Sequence, residues 1–406
     1  MPPIGSLSLG SLFNTSSGGT PLKARQEYYV GGDVPWLLSG EVAQGEIWAA
    51  TNFITEAGLK NSSAKIFPKN TVLVAMYGAT AGEVGILRVE AATNQAVCGI
   101  FPNDKFLPEY LYYVLLSKKD ELVGKAAGNA QPNISQAKIR ETLVPLTEKA
   151  EQSRIVAILD EAFEGIATAK ANVEKNLQNA HALFESHLQS VFTQRGPGWL
   201  DRTLDQVCIV ERGSSPRPIK EYFTTEPDGV NWIKIGDTEE GGKYVYSTGQ
   251  KITPEGAKQS RFVKEGDFIL TNSMSYGRPY IMKTSGYIHD GWFVLRLNMA
   301  IDTDYFYYLL SSPVVQLQFA SLASGSVVKN ISGDLVKKAV LPIPPLEHQH
   351  VIVEKLLAIS EETQRLAHLY ERKLALLAAL KKSLLHQAFS GALTAKATDK
   401  QLEAVA

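Results

Sequence analysis

GNAQPNISQAKIRETLVPL, Gly128–Leu146, has a counterpart nearly 200 positions later in GSVVKNISGDLVKKAVLPI, Gly325–Ile343. Each couples a polar loop to an apolar, strand-like ending, and each ending opens onto a long stretch of different texture. The pair is one term of an ordered series. SGGTP (Ser17–Pro21) faces RGSSP (Arg212–Pro216), and Trp36 in DVPWL faces Trp232 in GVNWI. ITEAGLKNS from Ile54 faces ITPEGAKQS from Ile252, and PKNTVLV from Pro68 faces KEGDFIL from Lys264. YLYYVLLS from Tyr110 faces YFYYLLSS from Tyr305, Gln152 faces Gln349, and matches persist to Phe192 and Phe389. An offset that stays near 195 over so many matches identifies a duplicated unit.

Each copy has a mixed region followed by a helical tail. The mixed regions carry short β-rich runs, TVLVAMY and VGILRV in the first and DFILTN, YIMKT and GWFVLRL in the second, punctuated by glycine and proline. PEYLYYVLLSKKDELVGKAA and TDYFYYLLSSPVVQLQFASLA read as amphipathic helices, so each mixed region is a compact α/β domain. The division is 1–146 for the first domain, 147–195 for a central helix, 196–343 for the second domain, 344–391 for a C-terminal helix and 392–406 for a flexible tail.

The tails step by fours and threes. Ile155, Leu159, Ile166, Val173, Leu177, Phe184 and Leu188 form a seam in the first; Ile352, Leu356, Ile359, Leu366, Tyr370, Leu377 and Leu384 repeat it less regularly. Thr147 is placed to cap the first helix, Pro344 and Pro345 precede the second, and Gly196 with Pro197, and Gly391, mark the ends. A continuous helix of this length spans roughly 68 Å, and an amphipathic helix that long needs a partner for its stripe. Pairing the two tails antiparallel, about a pseudo-twofold axis, satisfies both seams and spaces the domains. Helices broken near Glu164 and Gly165 and folded into hairpins remain open, because a mid-helix glycine costs about 1 kcal/mol against alanine.

Composition sets outer limits. The chain has 406 residues, 44% of them hydrophobic, enough for at least two cores. Its 41 Lys and Arg against 42 Asp and Glu signal no global attraction to a polyanion, although a local cleft can still be positive. Two distant cysteines, Cys98 and Cys208, match neither a metal site nor a disulfide framework, so a reducing cytoplasm is the simpler setting. Neither an export signal nor a membrane span is expected.

The usual catalytic motifs are absent: a phosphate loop ending in GK[ST], H-E-x-x-H and G-x-S-x-G. The seven histidines suggest no metal cluster, and His289 has no identifiable acid partner in the sequence. LPIPP lacks the Asn or Asp that precedes paired prolines in amino-methyltransferase motifs. No catalytic centre and no bound metal are expected.

The order of SGGTP, VPWLLSGEV, NTVLVAMYGATAGEVGIL, ATNQAV, NISQAKIRETLVPL and EQSRIVAILD, partly repeated in the second half, resembles the specificity subunits of type I restriction-modification enzymes over nearly the whole chain. The resemblance implies an α/β protein with two target-recognition domains separated by two long antiparallel coiled-coil-like helices. It further implies that each domain reads one half of an asymmetric, interrupted double-stranded DNA target. The partners it implies are two modification methyltransferase subunits and the restriction/translocase subunits. S-adenosylmethionine, ATP and Mg2+ then belong to those partners and not to this chain. A protein-interaction scaffold without sequence-specific DNA recognition is the alternative.

DNA contacts call for cations and amides toward phosphate and for directed donors and acceptors toward bases. In the first domain the candidates are Lys23, Arg25, Lys65, Tyr77 and the amides around Gly18 and Gly19. In the second they are Arg212, Arg217, Arg261, Asn272, Tyr276, Arg278 and Lys329. Tyr77–Gly78 aligns loosely with Tyr276–Gly277. TNQAV (Thr93–Val97) becomes IHDGW (Ile288–Trp292), so a hydrogen-bonding role for Asn94 or Gln95 is expected to stop in the first domain.

Overall fold

The polar-loop-to-strand passages lead, in a computed structural model, into two continuous helices, Lys149–Thr193 and Leu346–Ser390, each of 45 residues. The structure describes residues 5–124, 133–239, 241–272, 277–323 and 332–390. Two compact units result, one formed by residues 1–173 and 372–406 and the other by 174–371, so each unit takes part of both long helices.

In the first unit a five-stranded sheet runs in the order Thr15–Ser17, Val97–Ile100, Val72–Ala75, Val84–Leu87, Glu46–Ile47. A four-stranded sheet runs Phe53–Ile54, Val34–Leu37, Ala91–Thr93, Ile66–Phe67, and a ribbon of Ser6–Ser8 with Leu143–Pro145 closes the domain. The second unit repeats this order strand for strand: Cys208–Arg212, Trp292–Leu297, Phe268–Thr271, Pro279–Met282, Tyr244–Val245. Its other sheet, Gln250–Ile252, Val230–Ile233, Gly286–Ile288, Arg261–Val263, carries one additional edge strand, Phe223–Thr224, and its ribbon joins Leu200–Thr203 to Val340–Ile343. Even the parallel pairs recur, with Trp36 beside Ala92 and Glu46 beside Ile86, then Trp232 beside Tyr287 and Tyr244 beside Ile281. The duplication is therefore one of topology as well as sequence.

The central strands are buried on both faces because successive side chains alternate between two cores. Val72 and Val74 join the helix-side core, while Leu73 and Ala75 face the smaller core beneath the second sheet. Phe268 and Leu270 against Ile269 repeat the division.

The expected domain helices are each interrupted. Pro108–Ser117 is followed by Lys119–Gly124, and Thr303–Ser311 by Pro313–Ala323. Pro313 forces the second break, because it cannot donate to the preceding turn and restricts Ser312 to an extended backbone, φ −67° and ψ 147°.

Within the first unit, Ile155 and Leu159 near the start of the first long helix share a core with Leu385 and Ala388 near the end of the second. Within the second unit, Leu188 and Phe192 share a core with Val353 and Leu356. The two helices thus pass through each unit in opposite senses. None of the fourteen seam residues is exposed, yet Ile155, Leu159, Leu188 and Leu356 belong to domain cores. Part of what reads as a helix–helix seam is helix-to-domain packing. Gly165 does not break its helix, since its exposed position leaves space where a side chain would stand and packing on either side holds the backbone. The expected Thr147 cap shifts. The helix begins at Lys149, and Thr147 takes part through its carbonyl, which accepts from Gln152 Nε2 at 3.0 Å.

That glutamine and its repeat partner join helix to domain. Gln152, fully buried, donates also to Lys105 O at 2.9 Å and accepts from Leu107 N at 2.8 Å. Gln349, 1% exposed, donates to Pro344 O at 2.9 Å and accepts from Asp302 N at 2.8 Å. Both accepted N–H groups lie at the entrance to the domain helix that begins with Pro108 or Thr303. Truncation leaves buried backbone groups unpaired. Gln152→Ala and Gln349→Ala are each expected to cost about 1–3 kcal/mol, read from the urea midpoint, with little loss for the Glu variants only at pH low enough to protonate them.

Candidate nucleic-acid interface

SGGTP and RGSSP begin as edge strands and end as loops held in place by their neighbours. Gly18 N donates to Val97 O at 3.0 Å, and Gly213 N donates to Trp292 O at 2.8 Å. A Cβ on Gly18 would lie 2.1 Å from Thr93 Oγ1, and one on Gly213 would lie 2.1 Å from His289 O, so close backbone approach selects glycine. Gly19 N is likewise engaged, with Thr93 O at 2.9 Å, and its carbonyl accepts from Trp36 Nε1 at 3.0 Å. The expectation that the Gly18 and Gly19 amides serve a phosphate is corrected. Both are buried and already paired, and they fix the loop that carries its neighbours.

On these frames the two units place related pairs. Thr20 hydrogen-bonds Gln95, and Ser215 Oγ donates to Asp290 Oδ1 at 2.8 Å. Asn94 Oδ1 accepts from Ala96 N at 3.1 Å, and His289 Nδ1 accepts from Gly291 N at 2.8 Å. Intramolecular hydrogen bonding at these positions therefore recurs in the second domain with other residue types. An amide and a carboxylate fill one position, an asparagine and a histidine the next, because the backbone register is retained while the side chains change.

Asp290 gathers three of the nominated residues. Arg217 Nη2 lies 3.2 Å from its Oδ2, while its backbone carbonyl accepts from Arg212 Nε at 3.2 Å and from Asn272 Nδ2 at 2.6 Å. Burial opposes ionisation here, but the Ser215 hydroxyl, the residue's own backbone N–H, His289 and Arg217 hold the Asp290 carboxyl below the usual carboxylate range. His289 has an acid neighbour after all, Asp290 Oδ1 at 3.8 Å. Burial nevertheless pushes the imidazole below its ordinary value, in keeping with an Nδ1 that accepts from Gly291 N.

The other candidates are dispersed. Arg261 pairs with Glu211 at 3.0 Å, and Glu211 also binds Arg296 at 2.7 Å. Asn272, 1% exposed, is structural in its contacts, and Arg278 is half-buried with its N–H on Thr271 Oγ1 at 3.0 Å. In the first unit Lys65 donates to Ser16 Oγ at 2.9 Å, Arg25 lies 3.2 Å from Glu27 and 5.9 Å over the Tyr28 ring, and Lys23 is exposed. Tyr77, 38% exposed, bridges to Asn133. Tyr276 and Lys329 lie outside the described residues. The loose alignment of Gly277 with Gly78 is also corrected. Gly277 N donates to Thr271 O at 2.9 Å as Gly82 N does to Ala75 O at 2.8 Å, and both glycines have positive φ.

Sequence reasoning missed a second shared brace. Glu41 accepts from Leu38 N at 2.8 Å and Thr51 N at 2.9 Å; Asp237 accepts from Lys234 N at 2.7 Å and Gly249 N at 3.0 Å. The signal was an acid at the repeat offset, hidden by the Glu-to-Asp change. The two cysteines are free and buried, with thiols pushed up to about 12 chiefly by burial. Among the described residues no His, Cys, Asp or Glu cluster is arranged to hold a metal, and no helix is long and apolar enough to cross a membrane.

A duplicated α/β domain, one loop frame bearing different polar groups and two helices shared by both units define a class of two-domain α/β proteins with internal duplication. Residues 5–178 and 197–403 match the model for the type I restriction modification DNA specificity domain, and the chain belongs to that family. It is 29% identical over 227 residues to the MjaIX specificity subunit of Methanocaldococcus jannaschii, covering 51% of this chain and 52% of the relative. It is 27% identical over 158 residues to the EcoR124I/EcoR124II specificity subunit of Escherichia coli, covering 38% and 39%. These two alignments thus span about half or less of each relative. The MjaVIII specificity subunit of M. jannaschii matches at 24% identity over 366 residues, 82% of this chain and 83% of the relative. The fold resembles a solved structure from work on complex assembly and conformational transition of the type I R-M system, with TM-score 0.80, 20% identity and coverage of 97% and 99%. It also resembles the HsdS subunit from Thermoanaerobacter tengcongensis, with TM-score 0.63, 20% identity and coverage of 96% and 98%.

Proposed function

We propose that this chain is the non-catalytic specificity subunit of a type I restriction-modification complex, reading an asymmetric bipartite DNA target with its two domains. The observation that carries this reading is the repeated loop frame. Two domains with one strand order present Thr20 and Gln95 in one case and Ser215, Asp290 and Arg217 in the other. Two different surfaces suit two unlike half-sites, whereas an identical dimer favours a palindrome.

The long helices serve as the spacer and as the scaffold for two modification methyltransferase subunits, with restriction/translocase subunits joining that assembly. S-adenosylmethionine, ATP and Mg2+ act on those partners. Surface cations such as Lys23 and Lys65 supply register on phosphate, and the loop side chains supply choice of base.

The test offers the complex reconstituted with modification subunits a library of split target sites with varied intervening lengths. Enrichment of one bipartite sequence at one spacing is expected. A complex that assembles yet selects neither sequence nor spacing would support a protein-interaction scaffold instead.

A further inference from the structure

Asp290 pairs with the exposed Arg217 as well as with Ser215. Its backbone frame is shared with the first unit, where Gly18 makes the bond that Gly213 makes here and Thr20 meets Gln95 as Ser215 meets Asp290. A neutral amide at this position satisfies the same hydroxyl. The carboxylate adds a grip on Arg217, whose side chain is 79% exposed and so reaches solvent from a fixed origin. An exposed arginine ordinarily samples many rotamers, and holding it reduces the entropy lost on binding. The same negative charge opposes phosphate, so a poorly matched duplex gains less from Arg217 than it would from an unrestrained cation.

We propose that Asp290 is a positioning residue that aims Arg217 at the DNA half-site read by the second unit, and that this position, Gln95 in the first unit, is where the two units' preferences diverge. The proposal rests on the DNA-recognition reading above. Asp290 itself takes no base; it acts through the guanidinium, which meets an acceptor on a base edge.

The full chain, reconstituted with modification subunits, is compared with Asp290→Asn in the split-site library. The amide retains an acceptor for Ser215 but loses the charge that holds Arg217. Discrimination in the second half is expected to fall about tenfold at one or more base pairs. Preference in the first half stays unchanged, and the thermal midpoint falls only slightly, because the carboxylate that the fold favours is partly exposed. Binding to unrelated duplex strengthens, with a salt dependence steeper by about 0.9 in log–log slope, as a released Arg217 takes a phosphate. Loss of the carboxylate favours any duplex by charge alone, so the readout that a merely structural role would not move is the loss of discrimination confined to the second half and shared with Arg217→Ala. Arg217→Ala should remove the same discrimination, the double variant should add little, Arg217→Lys should restore part of it, and Gln95→Ala should alter the first half alone.

A selective wild-type complex whose second-half preference survives Asp290→Asn overturns the proposal, as does an equal loss in both halves. A wild-type complex without any sequence selectivity overturns the functional reading and this proposal together.

Discussion

Exchanging residues 1–145 for the matching stretch of a relative with another target is expected to change one half of the selected DNA sequence and to leave the other half intact. Exchanging residues 198–342 does the converse. The cuts suit the architecture, since they fall at the ends of the ribbons Ser6–Ser8 with Leu143–Pro145 and Leu200–Thr203 with Val340–Ile343. Each graft thereby carries its own sheets and most of its closing ribbon, and the helices remain native. Each mismatched base pair in a protein–DNA site costs about 1–3 kcal/mol, so several changed positions shift selectivity by orders of magnitude. Sequencing the sites selected by the reconstituted complex gives the answer. A graft that assembles but leaves both halves unchanged removes its domain from recognition.

The largest single-residue loss of stability is expected from Phe192→Ala. Phe192 is 1% exposed at the end of the first long helix, and its ring meets Tyr305 edge-on at 5.6 Å. Tyr305, fully buried, donates to Pro342 O at 2.6 Å, so one aromatic pair joins helix, domain and closing ribbon. Removing the ring opens a cavity among constrained neighbours and costs about 3–5 kcal/mol. The repeat position Phe389 is half-buried and meets Tyr110 at the same 5.6 Å. Phe389→Ala should therefore lose less. Chemical denaturation, with hydrogen exchange to locate the loss, compares them; equal effects would show that burial does not set the difference.

Duplication was legible because it tolerates local substitution. Tyr110 and Tyr305, Gln152 and Gln349, and Trp36 and Trp232 announce themselves by identity and offset. The long helices were legible from periodicity, and Gly165 could be overruled by the packing on either side of it. Less could be read of what each seam residue touches. Ile155 and Leu188 repeat at helical spacing whether they meet another helix or a sheet domain, because periodicity identifies an apolar face without naming its occupant.

The candidate contact residues were harder still. Arg212, Arg217 and Asn272 were nominated for chemistry, but Asp290, which gathers them, was hidden by its mismatch with Gln95. Gly18 and Gly19 were nominated for their amides, but these donate to Val97 O and Thr93 O. By itself the sequence determined the duplication, the mixed α/β character and the two helical tails, because each leaves a periodic or repeated trace along the chain. Only the tertiary structure decided which polar groups share a loop and which amides are already spent, since hydrogen bonds between residues far apart in the chain leave no pattern until the strands bring them together.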